Sequence, residues 1–380
     1  MRTQRCTRRW HGDRPLRIAV IAPSRHPLRE PHAGGLERMV WERVRTLRAR
    51  GHEVLLCAPE GSDFLDASPP ELVLPAVRWP DPRSASDTAY PTGHLKGHDE
   101  AMRGAMRWLG AARRRIDVID NHSLHGVVLD AAAALGVPVV TTLHTPPLPE
   151  IVAAHRRTPA GARSFLAVSE HTRAAWSAHG VEASVLPNSF AAETWRLGAG
   201  GGGLVWSGRI VPEKAPHLAL AAARAAGLPI AVAGRIGDQR YFEQVVAPLL
   251  GDRARHVGEL GQRQLDRLVG AADCALVTPM WQEPFGLVVA EALATGTPVA
   301  AFDNGGVAEV LAGSPAAALV APGDVAGLAV AARLLAARGG DRIVRGEVRR
   351  HALDRLSSTA RLPEIEAHFA RALQRQQVAA

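Results

Sequence analysis

The sequence predicts an α/β protein built of two doubly wound, Rossmann-like domains that face each other across a cleft. Three observations carry that expectation. Apolar runs of strand length alternate with helix-periodic segments along the chain, the pattern of a parallel sheet covered by helices on both faces. The pattern restarts after a glycine-rich run, Gly198 to Gly203. The 380 residues also exceed what one hydrophobic core comfortably organises.

Residues 1–15 carry an excess of arginine without an apolar stretch of signal-peptide length, and read as a disordered basic leader. The folded chain then begins near Leu16. A strand over Arg17 to Ala22 leads through a loop ending at Gly34-Gly35 into a helix. Leu36, Met39, Val40, Val44 and Leu47 share one face of that helix, while Glu37, Arg38, Arg45 and Arg48 read as pointing away. Gly51 ends the helix and Glu53 to Ala58 forms the next strand, completing a βαβ start. Residues 61–97 read as short strands and loops, followed by a helix from about His98 to Arg115. Strands follow at Asp117 to Asp120 and Val137 to Leu143. Two more units bring the first domain to residue 190, just past the Pro187-Asn188 turn.

Residues 191–203 read as a flexible hinge, because glycine leaves the backbone unconstrained. The second domain, 204–360, has strands at Leu204 to Ser207, Ile230 to Ala233, His256 to Val257, Cys274 to Thr278, Pro298 to Phe302 and Ala318 to Val320. A last helix, 361–380, is placed to cross back to the first domain. Two such halves put a ligand cleft at the carboxyl ends of their strands.

The formal charge of +8 is almost entirely arginine, since Lys96 and Lys214 are the only lysines. No recognition-helix, zinc-finger or RNA-binding aromatic motif accompanies it, so the charge does not indicate nucleic acid. Three cysteines without a CxxC pair, two of them in apolar strand-like runs, suit a reducing cytoplasmic setting. No apolar run nears the length of about 20 residues that spans a bilayer. Met102, Ala105, Met106, Leu109 and Ala112 share a helix face with Arg103, Arg107 and Arg114 opposite. That stretch suits peripheral membrane contact, but a helix packed on the first sheet is favoured.

The chemistry concentrates in Pro279 to Gly306. Glu283 lies in a loop after a strand, Phe285-Gly286-Leu287 open a helix, and Glu291 sits about two turns inside it. A helix start offers amides to an anion or oxygen. Carboxylates in the loop and on the helix accept hydrogen bonds from ribose or hexose hydroxyls. A second segment, Gly208-Arg209-Ile210-Val211-Pro212-Glu213-Lys214, places two cations in a strand–loop–helix, where a planar fork and a point charge both suit phosphate oxygens.

Trp281-Gln282-Glu283-Pro284-Phe285-Gly286-Leu287-Val288-Val289-Ala290-Glu291-Ala292 resembles the Glu-x7-Glu signature of the family 4 retaining glycosyltransferases. Gly296-Thr297-Pro298-Val299, Asp303-Asn304-Gly305-Gly306, the Arg209 to Lys214 segment, Gly34-Gly35-Leu36-Glu37, Leu143-His144-Thr145 and Pro187-Asn188 fall in that family's order. The resemblance covers about Arg17 to Val320 and implies the GT-B fold and transfer of a hexosyl group from a UDP- or GDP-sugar to a hydroxyl acceptor. It implies that Arg209 and Lys214 hold the donor diphosphate in place of a metal, so no metal and no cofactor are expected beyond the nucleotide sugar as co-substrate. Glu291 would bind ribose, and Glu283 with the Phe285, Gly286 and Leu287 amides would grip the sugar. Gly35 would let backbone approach the phosphates, and Glu259 and Leu260 would face the base. His144 would meet a sugar hydroxyl.

Ser189 and Ala215 stand where the family often has glycine. His122 and His32 are candidates for the acceptor side. His122 and His125 look like metal ligands, but no third ligand has suitable spacing. The acceptor reads as a small molecule, a glycan or a lipid-linked group, and nothing in the sequence sets an oligomeric state. A nucleotide-sugar 2-epimerase and a non-catalytic nucleotide-sugar-binding module are the competing readings. Both are disfavoured by the complete set of motif residues.

Overall fold

The computed structural model describes residues 14–80 and 90–379, with side chains to residue 376. The expected leader therefore lies outside the described residues up to residue 13. So does part of the 61–97 stretch, residues 81–89, read as short strands and loops.

The first sheet contains β1 (Arg17–Ile21), β2 (Glu53–Pro59), β3 (Val73–Leu74), β4 (Val118–Asn121), β5 (Val139–Leu143), β6 (Arg163–Ala167) and β7 (Ser184–Val185). They run parallel in the order β3-β2-β1-β4-β5-β6-β7. Helices α1 (Gly35–Ala49), α2 (His94–Ala111), α3 (Val127–Leu135), α4 (Pro149–Arg157) and α5 (Glu170–Ser177) make the crossovers. The second sheet contains β8 (Leu204–Ser207), β9 (Ile230–Ala233), β10 (Ala254–His256), β11 (Cys274–Val277), β12 (Val299–Phe302) and β13 (Ala317–Val320), parallel in the order β10-β9-β8-β11-β12-β13. Its helices are α6 (Pro216–Ala226), the short α7 (Gln239–Tyr241), α8 (Gln262–Ala271), α9 (Leu287–Ala294), α10 (Val307–Leu311), α11 (Val325–Ala336) and α12 (Arg342–Leu356). Strands β4, β9, β11 and β12 are buried along their whole length, as parallel strands covered on both faces must be. Cys57 and Cys274 are buried thiols, pushed by that burial up to about 12.

Helix α2 begins at His94, a turn earlier than its apolar periodicity suggests. His98, Met102, Ala105, Met106 and Leu109 are its buried face, packed on the first sheet, while Arg103 and Arg107 are exposed. Among the described residues no helix is long and apolar enough to cross a membrane.

Helix α13 (Ser358–Ala379) leaves the second sheet and lies on the first. Ile365, Phe369 and Ala372 join the cluster that contains Leu16, Val118, Val140 and Leu166. Phe369 is fully buried there, and burial of a side chain of that size contributes about 1.5–3 kcal/mol. His52 Nε2 lies 3.1 Å from Glu366 Oε1, and the amide of Ser358 donates to the Phe190 carbonyl at 2.8 Å, tying the crossing point to the first domain's last segment.

Two expectations need correction. Glu37 and Arg38, read as pointing away from the core, are 7% and 8% exposed. A single amphipathic face describes the side of α1 that packs on its own sheet, and here the opposite side meets the second domain. The glycine-rich run from 198 to 203 is not slack. The amides of Gly198, Gly200 and Gly202 donate to Thr295, Gly270 and Ala271 carbonyls, and those of Gly201 and Gly203 donate to the Asp273 carboxylate. A Cβ at residue 198 would lie 1.9 Å from the Gly270 carbonyl oxygen, so close backbone contact, not freedom, explains the glycine.

The fully buried Arg345 of α12 closes that strap. Its guanidinium donates to the carbonyls of Gly198, Ala272, Gly339, Gly270 and Thr295 and to Thr297 Oγ1, at 2.7–3.3 Å.

Candidate functional site

Both sheets reverse their winding next to a central strand, between β1 and β4 in the first and between β8 and β11 in the second. Ligands of open α/β sheets bind at the carboxyl ends beside such switch points. The candidate residues sit there. Arg209 follows β8, Thr278 and Glu283 follow β11, and Gly305 and Gly306 follow β12. His122 follows β4 and His144 follows β5.

The turn after β8 is built to carry Lys214. Pro212–Lys214 forms one 3₁₀ turn, and Ala215 takes a left-handed conformation at φ 45°. Glycine is the usual occupant of that region. Here Thr278 Oγ1 at the end of β11 donates to both the Lys214 and Ala215 carbonyls at 3.0 Å, and Trp206 Nε1 donates to Thr278 Oγ1 at 3.1 Å. The amide of Met280 donates to the Glu213 carbonyl at 2.8 Å. The turn is thus strapped to the loop that bears Glu283.

Lys214 Nζ pairs directly with Glu283 Oε2, and Trp281 Nε1 donates to the same oxygen at 2.9 Å. The ammonium also lies over the Trp281 ring, 4.9 Å from its centroid. Glu283 is held by its backbone too: its carbonyl accepts from the Gly306 amide at 2.6 Å. Gly305, at φ 71°, would place a Cβ 2.2 Å from that same carbonyl oxygen, so the loop after β12 must be glycine to cradle the loop after β11. Gly286, at φ 90°, precedes α9, and Phe285 is buried beside it.

The first domain closes onto this loop. Ser169 Oγ and Thr172 Oγ1, at the start of α5, donate to the Pro284 carbonyl at 2.6 and 3.1 Å. The Glu309 carboxylate on α10 accepts from the amides of Glu170 and His171 at 2.7 and 2.8 Å. The Gly34-Gly35 loop enters from the other side. A Cβ at Gly35 would meet Leu287 Cδ1 at 3.1 Å, and one at Gly34 would lie 3.9 Å from Arg209 Cδ. Arg235 Nε donates to the Ala33 carbonyl at 2.9 Å. Gly35, Arg209, Lys214, Glu283 and Leu287 therefore line one place.

Glu291 is also brought in, with a partner that helix periodicity did not suggest. Arg38 Nη1 lies 2.9 Å from Glu291 Oε1, Arg38 Nε lies 3.6 Å from Glu42 Oε1, and the guanidinium stacks over Trp195 at 4.6 Å. Burial raises the Glu291 carboxyl above its usual range, against the pull of Arg38. Glu259 and Leu260, after β10, form a separate rim. Glu259 is exposed, and a Cβ at the next residue, Gly261, would be 3.9 Å from Glu30 Oε2 of the first domain.

On the first sheet, Arg43 Nη1 lies 3.4 Å from Asp120 Oδ2, Asp120 Oδ2 lies 3.1 Å from His122 Nε2, and His122 Nδ1 is 2.9 Å from His144 Nε2. This buried chain delivers a fixed imidazole, His144, to the strand ends. Asp120 and Arg43 were not singled out from the sequence. The signal was available only as a polar residue inside an otherwise apolar strand. His32 is elsewhere: its ring packs edge-on against Trp41 at 5.5 Å, not against His122 and His144, and burial and then the Arg38 charge hold it down to about 4.

Burial, with charge on His122 and Arg43 adding to it, holds His144 well below its ordinary 6.5. Burial alone would raise Asp120, but the His122 and Arg43 charges outweigh it and leave the carboxyl below 3.8. The unfolded chain protonates His144 near 6.5, and the folded chain only far lower. The associated stability is therefore full above pH 6.5 and lost as pH falls below it. The Asp120 contribution is present throughout the range above 3.8. Urea midpoints measured from pH 8 to pH 5 should fall below pH 6.5, and should fall less in His144→Gln. Parallel curves for the two proteins would exclude His144 as a source.

Comparison with known proteins gives this architecture a family. Residues 33–193 match Glycosyltransferase Family 4, and residues 202–342 match Glycosyl transferases group 1. D-inositol 3-phosphate glycosyltransferase 2 of Catenulispora acidiphila is 30% identical over 371 residues, covering 82% of this chain and 85% of the relative. Glycogen synthase of Mycobacterium tuberculosis is 29% identical over 341 residues, covering 79% and 82%. The crystal structure of a glycosyltransferase involved in avilamycin A biosynthesis matches with a TM-score of 0.67 at 25% identity, over 94% of this chain and 98% of that one. Sucrose-phosphate synthase from Thermosynechococcus elongatus matches in fold, with a TM-score of 0.72 at 18% identity over 94% and 98% of the chains. Two facing parallel sheets with the site at their switch points define a glycosyltransferase of the GT-B fold. The chain belongs to the family 4 glycosyltransferases.

Proposed function

We propose that the chain transfers a hexosyl group from a UDP- or GDP-sugar to a hydroxyl acceptor with retention of configuration, without a metal at the diphosphate. The observation that carries this reading is the Lys214–Glu283 pair, locked on two loops at the switch point with Arg209 beside the Gly34-Gly35 loop. Arg209 and Lys214 hold the diphosphate and stabilise the negative charge that grows on it as the glycosidic bond breaks. Glu283, with Phe285, Gly286 and Leu287, holds the sugar. Glu291, gripped by Arg38 through one oxygen, offers the other to ribose. Glu259 and Leu260 face the base.

In the reaction the C1–O bond to phosphate breaks while the acceptor oxygen bonds to C1 on the same face. The acceptor proton passes to the departing phosphate oxygen. His144, neutral and fixed by His122, forms a hydrogen bond with a sugar hydroxyl. The named relatives act on inositol 3-phosphate and glycogen, which supports a polyhydroxylated acceptor here. Two buried free thiols suit a reducing, cytoplasmic setting.

Donor hydrolysis followed by proton NMR should release the α-anomer first from an α-linked donor, at a rate unchanged by added Mg²⁺ or Mn²⁺. First release of the β-anomer overturns retention. A rate that depends on the added ion overturns the metal-free site.

A further inference from the structure

Sequence spacing offers His125 no third metal ligand, but the fold does. Helix α2 carries His94 and His98 one turn apart, the i, i+4 spacing that puts two imidazoles on one face. Its first turns lie against the loop after β4, where the His98 and His125 rings are 4.5 Å apart between centroids. Ligand atoms of His98, Asp99 and His125 all lie within 4.8 Å of one another. The His94 ring is 6.0 Å from that of His98.

Hydrogen bonding does not account for the His94 and His98 rings. His98 is 1% exposed, yet among the described residues neither of its ring nitrogens has a hydrogen-bond partner, and Nδ1 stands 3.6 Å from Asp99 Oδ1. The buried His94 Nε2 is likewise unpartnered among the described residues. A buried polar atom without a partner is costly, and one ion could satisfy a nitrogen of His98 together with that of His94. Ser24 Oγ holds His125 through Nε2 at 3.0 Å, as an outer-shell partner orients a metal-bound imidazole.

We propose that His98, His125 and Asp99 form a binding site for a first-row divalent cation of zinc type, with His94 placed to complete it. Nitrogen and carboxylate ligands to zinc at about 2.0–2.2 Å lie roughly 3.4 Å from one another, so shifts on the order of an ångström close the site. Two carboxylates and two cations surround the cluster. Asp99 Oδ2 lies 3.7 Å from Arg103 Nη2 while Oδ1 faces the His98 ring, Glu150 Oε2 stands 3.9 Å from His125 Nδ1, and the Arg25 guanidinium lies 3.9 Å over the Tyr90 ring. The ion would pin α2 to the acceptor-side strand ends. It is independent of the donor diphosphate and of the transfer proposed above.

The test uses full-length protein without a polyhistidine tag, stripped by chelator and dialysed. Co²⁺ titration should give a saturable visible absorption band with one ion per chain, displaced by one equivalent of Zn²⁺. Calorimetric Zn²⁺ affinity should fall by more than about tenfold in His98→Gln and in His125→Gln, the lower bound known for outer-shell changes alone. Zn²⁺ should raise the Tm of the parent but not of the double variant. The parent titration needs no variant to fold. Absence of a saturable Co²⁺ band overturns the site, as does Zn²⁺ binding of unchanged affinity in the double variant.

Discussion

Replacing both Arg209 and Lys214 with alanine should lower kcat/KM for donor turnover by about 10³-fold, and either single change by about 10²–10³-fold, the range measured when one donor to a developing oxyanion is removed. The effect should fall on kcat more than on KM. In the proposed reaction the leaving diphosphate gains negative charge as the bond breaks, so the two cations would bind the transition state more tightly than the bound donor. The single losses should not add, because both groups serve one developing charge. Lys214→Ala also removes the ion-pair partner of the Glu283 carboxylate, to which Trp281 Nε1 still donates. A thermal-denaturation control therefore accompanies the kinetics, and Lys214→Arg should recover part of the rate by restoring a cation. A double variant within threefold of the parent would remove both residues from the chemistry.

The largest effect on stability is expected at Arg345. Methionine there fills similar volume but leaves five carbonyls and the Thr297 hydroxyl without the donor that joins them. Leaving buried acceptors without a donor costs about 1–3 kcal/mol each before relaxation, so losing this network costs on the order of 3–5 kcal/mol. At roughly 2–4 °C per kcal/mol for a domain of this size, the second domain's melting transition should drop by about 10 °C. Arg345→Lys should fall between, since an ammonium has three donors without the planar fork. Calorimetry resolves the two domains' transitions, and a Tm within 2 °C of the parent would show that the strap is held by other contacts.

The parts legible in the sequence are those written in local spacing. Strand–helix alternation anticipates both parallel sheets. The six residues from Arg209 to Lys214 and the nine from Glu283 to Glu291 each lie within one loop-and-helix unit, so their proximity needs no knowledge of the fold. What was hidden depends on contacts between distant segments. Arg38 belongs to a helix with two buried sides, and periodicity reveals only the one facing its own sheet. His98 reads as one more turn of an amphipathic helix until the loop after β4 brings His125 beside it. The pairing of His122 with His144 follows from register, since Asn121 lies opposite Thr141 on neighbouring strands. The glycine-rich run misleads because composition cannot distinguish a residue that is glycine for freedom from one that is glycine for lack of room.

Helix α13 makes the half of the molecule built on the first sheet discontinuous in sequence. Anyone grafting a relative's first domain onto this second domain would cut near residue 190 and leave Ile365, Phe369 and Ala372 facing a foreign surface. The exchangeable unit is the first sheet together with the terminal helix, and a successful chimera takes both pieces from the same parent.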